Sequence, residues 1–304
     1  MKRIHFISVL DKQTLSLATS IKKIDFEVSI SDENISQTLK EKLKKNNIDF
    51  HEGWDLSKIN KKIDFIILGS NVKNNNPELI RAKSLDIKIF SFTQFINYFS
   101  EEKTRVLVAG TYGKTSLISI ILHVLRFHDF PIDFVINKKV SGFESIIQLS
   151  KENDFIIIEG NENISSEIDN LSNLHFFNPH LVIITCVFWK YIARYPSFED
   201  YKNYFSLLID NIIPGGTLIY NENDNEVNNL VIKSNHTIRK EVYHKPKSDI
   251  INGIINLQTE EGNYPLINFN DYSLINLGGA IWICQLMGIH LSDFYEAIIS
   301  YEWS

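Results

Sequence analysis

The sequence predicts an α/β fold built on mostly parallel sheets, and three observations carry that prediction. Short apolar runs alternate with amphipathic stretches from the first residues onward, as they do when helices connect and cover parallel strands. Several of the runs, 65–68 within the predicted strand 63–68 among them, are continuously apolar, as strands buried on both faces are. One run, 105–109, leads through a glycine-bearing turn into an amphipathic stretch, a strand–turn–helix unit. In order, residues 3–9 and 26–30 read as strands, 35–45 as a helix, 63–68 as a strand, 77–85 as a helix, 87–90 as a strand and 93–99 as a helix. The short polar stretch 100–103 separates these from the strand at 105–109, which predicts one domain over 1–101 and a second over 102–304. In the second, 114–127, 198–212, 273–286 and 291–300 read as helices, and 134–136, 155–159, 181–185 and 217–220 as strands. The Asn-rich stretches read as loops.

Bulk composition narrows the function classes. A chain of 304 residues can hold two domains of roughly 100–200 residues each. With 44% hydrophobic and 22% charged residues it falls in the globular class, not the disordered or fibrous one. A net charge of -6 excludes a general nucleic-acid binder, which needs a basic surface to displace counterions. Cys186 and Cys284 lie far apart in apolar surroundings without metal-type spacing and read as buried thiols, in keeping with a reducing cytoplasm. Asp11 and Lys12 interrupt the N-terminal apolar run before it reaches signal-peptide length, and no run approaches the roughly 18 apolar residues of a membrane span. The expectation is a cytoplasmic protein with no membrane and no nucleic-acid partner.

The segment that carries chemistry is Gly110-Thr111-Tyr112-Gly113-Lys114-Thr115-Ser116, which follows the strand at 105–109. Glycines let the backbone turn tightly, the amides at the start of the following helix face an anion, and Lys114 adds a point charge. Thr115 offers a hydroxyl for Mg²⁺. Only Thr111 and Tyr112 stand between the first glycine and the Gly-Lys pair, where the general nucleotide-binding loop has four residues.

Gly-Thr-x-Gly-Lys-Thr after a buried strand is similar to the ATP loop of the Mur ligases, which join amino acids or peptides to UDP-N-acetylmuramate. Phe65-Ile66-Ile67-Leu68-Gly69-Ser70, Asn76-Pro77-Glu78-Leu79 and Arg81-Ala82-Lys83 resemble the end of the UDP-binding domain in the muropeptide-recycling branch, with the L-alanine-adding branch as close relative. Ile156-Ile157-Ile158-Glu159-Gly160 resembles the strand end where the family places a magnesium-binding glutamate, and Asn276 stands where a family helix offers an asparagine to adenine. The resemblance implies a Rossmann-like UDP-sugar-binding domain followed by an ATP-binding central domain. It further implies ATP and Mg²⁺ as cofactors, with Gly110, Thr111, Tyr112, Gly113, Lys114, Thr115, Ser116 and Asn276 at the nucleotide and Thr115 and Glu159 at the metal. Lys114 and Glu159 would be catalytic, and Asp32 and Ser70 would touch the UDP-sugar substrate. The implied reaction is ligation: a carboxylate takes the γ-phosphoryl group of ATP and an amine then displaces phosphate.

The sequence also departs from the family pattern. Leu10 and Asp11 stand where the family has glycines approaching the UDP pyrophosphate. Tyr112 replaces a histidine of the loop, Lys190 and Tyr191 replace an acid–histidine pair of the second metal site, and Tyr272-Ser273 replaces a His-Asn pair. The family's third domain, which binds the incoming amine, would begin after Trp303, where this sequence stops. Two functions stay open: an ATP-dependent ligase of UDP-N-acetylmuramate completed by a separate C-terminal ligase domain, or an altered relative that binds ATP or a partner protein without ligating. A stand-alone nucleotide switch has no positive signal.

Overall fold

The computed structural model describes residues 1–9, 11–160, 177–189, 195–260, 262–267 and 269–302. These form two units, one of residues 1–102 with 147–152 and 177, the other of residues 103–146, 153–160 and 178–302. Among the described residues no helix is long and apolar enough to cross a membrane.

The first unit is a parallel sheet of β1 (Arg3–Ile7), β2 (Glu27–Asp32), β3 (Asp49–Glu52), β4 (Phe65–Leu68) and β5 (Lys88–Ser91), in the order β3-β2-β1-β4-β5. The order reverses between β1 and β4, as in Rossmann-type sheets. Helices α1 (Lys12–Lys22), α2 (Gln37–Lys45), α3 (Pro77–Ser84) and α4 (Phe92–Phe99) accompany it. Pro77 at the first helical position and the Asn76 side chain, which accepts from Leu79 N, start α3. A reciprocal Ser91–Gln94 capping box starts α4. Neither α1 nor β3 is legible in the sequence. Two of the buried positions of α1 are Thr14 and Ser20, which blur its apolar stripe, and β3 has no buried residue of its own.

One face of this sheet is apolar under α3, where Ile7, Ile66, Leu68, Leu79 and Ala82 cluster. Toward β2 and β3 the same face turns polar. Register sets His5 beside Ser29 and Ser31 beside His51, and the Glu78 side chain, fully buried, reaches in from α3. Its carboxylate accepts from Ser31 Oγ and from Asp55 N (2.8 Å), with His51 Nε2 at 2.9 Å and His5 Nε2 at 3.5 Å. Burial pushes this acid up, but the hydrogen bonds from His5, Ser31, His51 and the Asp55 backbone outweigh it and hold the pKa at about 2.

The second unit carries a parallel sheet with the order β12-β11-β10-β6-β9-β7. Its strands are β6 (Thr104–Ala109), β7 (Asp133–Val135), β9 (Phe155–Glu159), β10 (Leu181–Ile184), β11 (Thr217–Asn221) and β12 (Arg239–Tyr243). Between β7 and β9 comes the short β8 (Ile147–Gln148), which groups with the first unit. Helices α5 (Lys114–Phe127), α6 (Phe198–Asp210), α7 (Asn225–Lys233), α8 (Asp271–Leu286) and α9 (Leu291–Ile298) complete it, together with an antiparallel sheet of β13 (Ser248–Ile251), β14 (Ile254–Thr259) and β15 (Gly262–Leu266). Among these, α7 falls in an Asn-rich stretch that reads as a loop, and β12 to β15 lie where the sequence predicts no element. Strands such as Arg239–Tyr243 are polar and half-buried, so pairing with neighbours and not an apolar run of their own makes them strands.

Helix α8 packs against α5 and β11 because it carries two glycines where a side chain would not fit. A Cβ on Gly278 would stand 2.0 Å from the His244 carbonyl oxygen, and one on Gly279 would stand 2.7 Å from Ile183 Cδ1 and 2.9 Å from Leu117 Cδ1. That close approach brings Asn276, on the same helix, to the turn that opens α5.

Candidate functional site

Each unit has a strand–turn–helix junction at the carboxyl edge of its parallel sheet, where ligands collect in open α/β folds. In the second unit it is β6–α5. Gly110 has φ +132, and a Cβ there would lie 2.1 Å from Thr185 Oγ1 and 3.0 Å from the Cys186 backbone, so only glycine fits. Gly113, left-handed with φ +84, is the N-cap of α5 and supplies no capping side chain. The first amides of α5 therefore have no side-chain acceptor from the cap, the arrangement that leaves a helix N-terminus available to an anion.

Side chains around the loop divide into those that tie it to neighbouring segments and those grouped at the start of α5. Thr111 is buried; its backbone N–H donates to Cys186 O (2.8 Å), and its hydroxyl accepts from Phe188 N (3.0 Å) and lies 3.2 Å from Tyr201 Oη. Thr185 Oγ1 donates to Tyr112 O (2.6 Å). These contacts tie the turn to the segment after β10, so Thr111 acts on loop shape, while the Tyr112 ring is exposed. Lys114 Nζ donates to Gly110 O across the loop. Thr115 Oγ1 donates to Glu159 Oε1 (2.6 Å), and the other Glu159 oxygen accepts from Asn137 N (2.8 Å). Ser116 follows one residue on, half-buried in the first turn of α5.

Asn276 is 3% exposed, and its Nδ2 has no hydrogen-bond partner among the described residues. Its amide stands 3.0–3.4 Å from where a Gly113 Cβ would be. A buried amide left unpaired costs on the order of 1–3 kcal/mol. Tyr272, beside it, has its pKa raised to about 12 by burial and by the neighbouring Cys186, so its phenol is a neutral hydrogen-bonding group. Burial likewise pushes the Cys186 thiol up, which removes it as a thiolate nucleophile. Among the described residues no cluster of three or more His, Cys, Asp or Glu side chains is placed to hold a metal. The Thr115–Glu159 pair offers hard oxygens of the kind Mg²⁺ takes alongside phosphate and water ligands. Lys190 and Tyr191 lie outside the described residues.

Sequence reasoning missed three contributors: the Asn137 amide that orients Glu159, the Thr185 hydroxyl behind the loop, and Asp224, which accepts from Val187 N (3.2 Å) and caps α7. The position of Thr185, just past the end of an apolar strand, was the available signal. A backbone amide leaves none.

In the first unit the junction is β1–α1, and it is closed differently. Asp11 is the N-cap of α1: one oxygen accepts from Thr14 N (2.8 Å), the other from Thr14 Oγ1 (2.7 Å) and Ser70 Oγ (3.4 Å). Asp32, 1% exposed, accepts from Val9 N (2.8 Å). Ser8 takes a left-handed φ of +64 in the turn. The candidate substrate residues Asp32 and Ser70 thus both stand at this turn, Asp32 holding its backbone and Ser70 holding Asp11. Leu10 lies outside the described residues.

Residues 108–283, from β6 through the Gly110–Gly113 turn to α8, match the Mur ligase middle domain. The chain belongs to the Mur ligase family. Among the relatives of this chain, the UDP-N-acetylmuramate–L-alanine ligase of Dictyoglomus turgidum is 23% identical over 99% of this chain and 65% of its own length. The UDP-N-acetylmuramate–L-alanyl-γ-D-glutamyl-meso-2,6-diaminoheptandioate ligase of Escherichia coli is 27% identical over 74% of this chain and 47% of its own. The chain thus spans between about half and two thirds of the length of these two relatives. The crystal structure of the UDP-N-acetylmuramate:L-alanyl-γ-D-glutamyl-meso-diaminopimelate ligase from Neisseria meningitidis superposes with a TM-score of 0.84 at 18% identity, covering 100% of this chain and 99% of that one. It shares the fold.

Proposed function

We propose that this Mur ligase chain binds ATP with Mg²⁺ at the β6–α5 junction and uses it to activate a carboxylate for amide formation with an amino acid or peptide. The relatives named for UDP-N-acetylmuramate support a muramate-type carboxylate as the acid. The observation that carries the reading is the uncapped start of α5 with the unpaired Asn276 amide directed at it. In this reading the α5 amides and the Lys114 ammonium hold the phosphates, Lys114 exchanging the Gly110 carbonyl for them. Thr115 and Glu159 hold the cation, with Asn137 N keeping Glu159 in its rotamer, and Asn276 hydrogen-bonds the base. The bound ATP–magnesium pair supplies an activated phosphoryl group and neutralises the charge that builds up on its transfer. The chain's own part is positioning.

A second reading, ATP binding without ligation, is favoured by Asp11, which sets a carboxylate at the first-unit turn. Both readings require the phosphate loop. Calorimetric titration of ATP, with and without Mg²⁺, should show Lys114→Ala weakening binding about 100-fold, as loss of a charge-assisted contact of roughly 3 kcal/mol does. Equal binding by mutant and wild type would sink the phosphate-loop assignment.

A further inference from the structure

One face of the first unit's sheet is covered only in part. Helix α3 packs over β1 and β4, where Ile7, Ile66 and Leu68 meet Leu79. The chain between β3 and β4, residues 53–64, forms no helix, and the positions of β1, β2 and β3 beyond α3 are the polar His5, Ser29 and His51. A cavity of about 330 Å³ stands over them. Its lining includes Arg3, Glu27 and Asp49, the first residues of β1, β2 and β3, so it opens at the amino edge of the sheet, the edge opposite the β1–α1 turn.

The floor of this cavity is held in place from behind. The His5 and His51 rings stack with centroids 5.8 Å apart. His5 lies 2.8 Å from Ser29 Oγ through Nδ1 and 3.1 Å from Ser31 Oγ through Nε2. His51 Nε2 donates to Glu78 Oε1 (2.9 Å), which leaves Nδ1 as the ring nitrogen available to a ligand. Glu78 is fully buried, and its carboxylate also accepts from Ser31 Oγ and Asp55 N. The rim is basic. Glu27 is answered by Arg3 at 2.7 Å, so a single acid, Asp49, remains against Lys22, Lys58 and Lys62, which form no ion pair among the described residues. Ammonium groups gathered around one pocket repel each other, and an anion between them relieves that repulsion.

We infer that this cavity binds a small polyanion, a ligand with two or more phosphate or carboxylate groups, held by Lys22, Lys58 and Lys62 over the His51 ring. The site lies wholly within the first unit and holds whether or not the phosphate loop binds ATP.

The test follows the His51 Cε1–H proton resonance of the full chain, assigned by its loss in His51→Gln, during titration with pyrophosphate or citrate at fixed pH and ionic strength. At least one of the two should shift the resonance at millimolar concentration; pyrophosphate alone assigns the phosphate class, citrate alone the carboxylate class. Lys58→Ala/Lys62→Ala, which removes two exposed side chains and leaves the core intact, should weaken that binding about tenfold or more. Lys42→Ala/Lys45→Ala removes the same charge from exposed positions of α2 outside the cavity and should bind as the wild type does. Lys114→Ala should also bind as the wild type does, so failure of the phosphate loop is read separately. No shift with either anion, wild-type affinity in Lys58→Ala/Lys62→Ala, or an equal loss in Lys42→Ala/Lys45→Ala would overturn the site. Loss of the shift in Lys114→Ala would assign the anion to the phosphate loop and overturn it as well.

Discussion

The two strand–turn–helix junctions share an architecture and differ at the helix N-cap. At α5 it is Gly113, which offers no acceptor and leaves the first-turn amides without a capping side chain; at α1 it is Asp11, whose two oxygens accept from Thr14 and Ser70. A helix N-terminus carries about half a positive charge. A glycine cap leaves that charge for a ligand, whereas an aspartate cap answers it from within the chain. Fold alone therefore does not say whether such a junction binds an anion; the cap does.

The comparison can be broken most severely at Gly110. Gly110→Ala would drive a Cβ onto Thr185 Oγ1 and the Cys186 backbone at a φ that L-residues avoid. It should cost the second unit about 3 kcal/mol or more, read as a shift in urea midpoint of that unit's transition. An unchanged midpoint would mean the loop is not held as described.

Acid should separate the two units. The folded-state pKa of Glu78, about 2, lies below its ordinary value of 4.5. Its contribution is therefore present above pH 4.5 and lost as pH falls from 4.5 toward 2. It amounts to about 3 kcal/mol, and Glu78→Gln should abolish this part of the acid dependence. Circular dichroism through that window should show the first unit melting ahead of the second; the same acid profile in Glu78→Gln would refute the buried network.

A smaller effect is expected at the metal pair. Glu159→Gln keeps an acceptor for Asn137 N but removes the charge, so the enhancement of ATP binding by Mg²⁺ should fall about tenfold, measured by titration at fixed ATP. Persistence of the full Mg²⁺ effect would exclude Glu159 as a ligand. The smallest effect is at α1, where Asp11→Ala loses the cap and should destabilise the first unit by about 1 kcal/mol, seen as a drop in its melting temperature, with Asp11→Asn unaffected.

Much of the β6–α5 turn was legible, because its chemistry is local. Glycine, lysine and threonine at fixed spacing after a buried strand dictate a turn, a helix start and a charge without reference to the rest of the chain. Asp11 shows the limit of that kind of reading. In the sequence it is an acid in place of a glycine; in the structure it is a helix cap, and recognising it required α1, whose Thr14 and Ser20 conceal an apolar stripe. Strands β12 to β15 were similarly hidden, since polar half-buried strands owe their conformation to partners distant in the chain.

By itself the sequence determined the α/β class, through local apolar patterning, and the glycine-bearing turn at 110–116, through short-range residue spacing; the family was legible as a resemblance carried by those motifs. Only the tertiary structure decided that Asn137 N orients Glu159, that Gly278 and Gly279 let α8 carry Asn276 to the loop, and that Asp11 accepts from Thr14 N and Asp32 from Val9 N. The physical reason is the same in each case: a hydrogen bond or a close approach between residues far apart in sequence is fixed by register and packing, and neither is written in the residues one at a time.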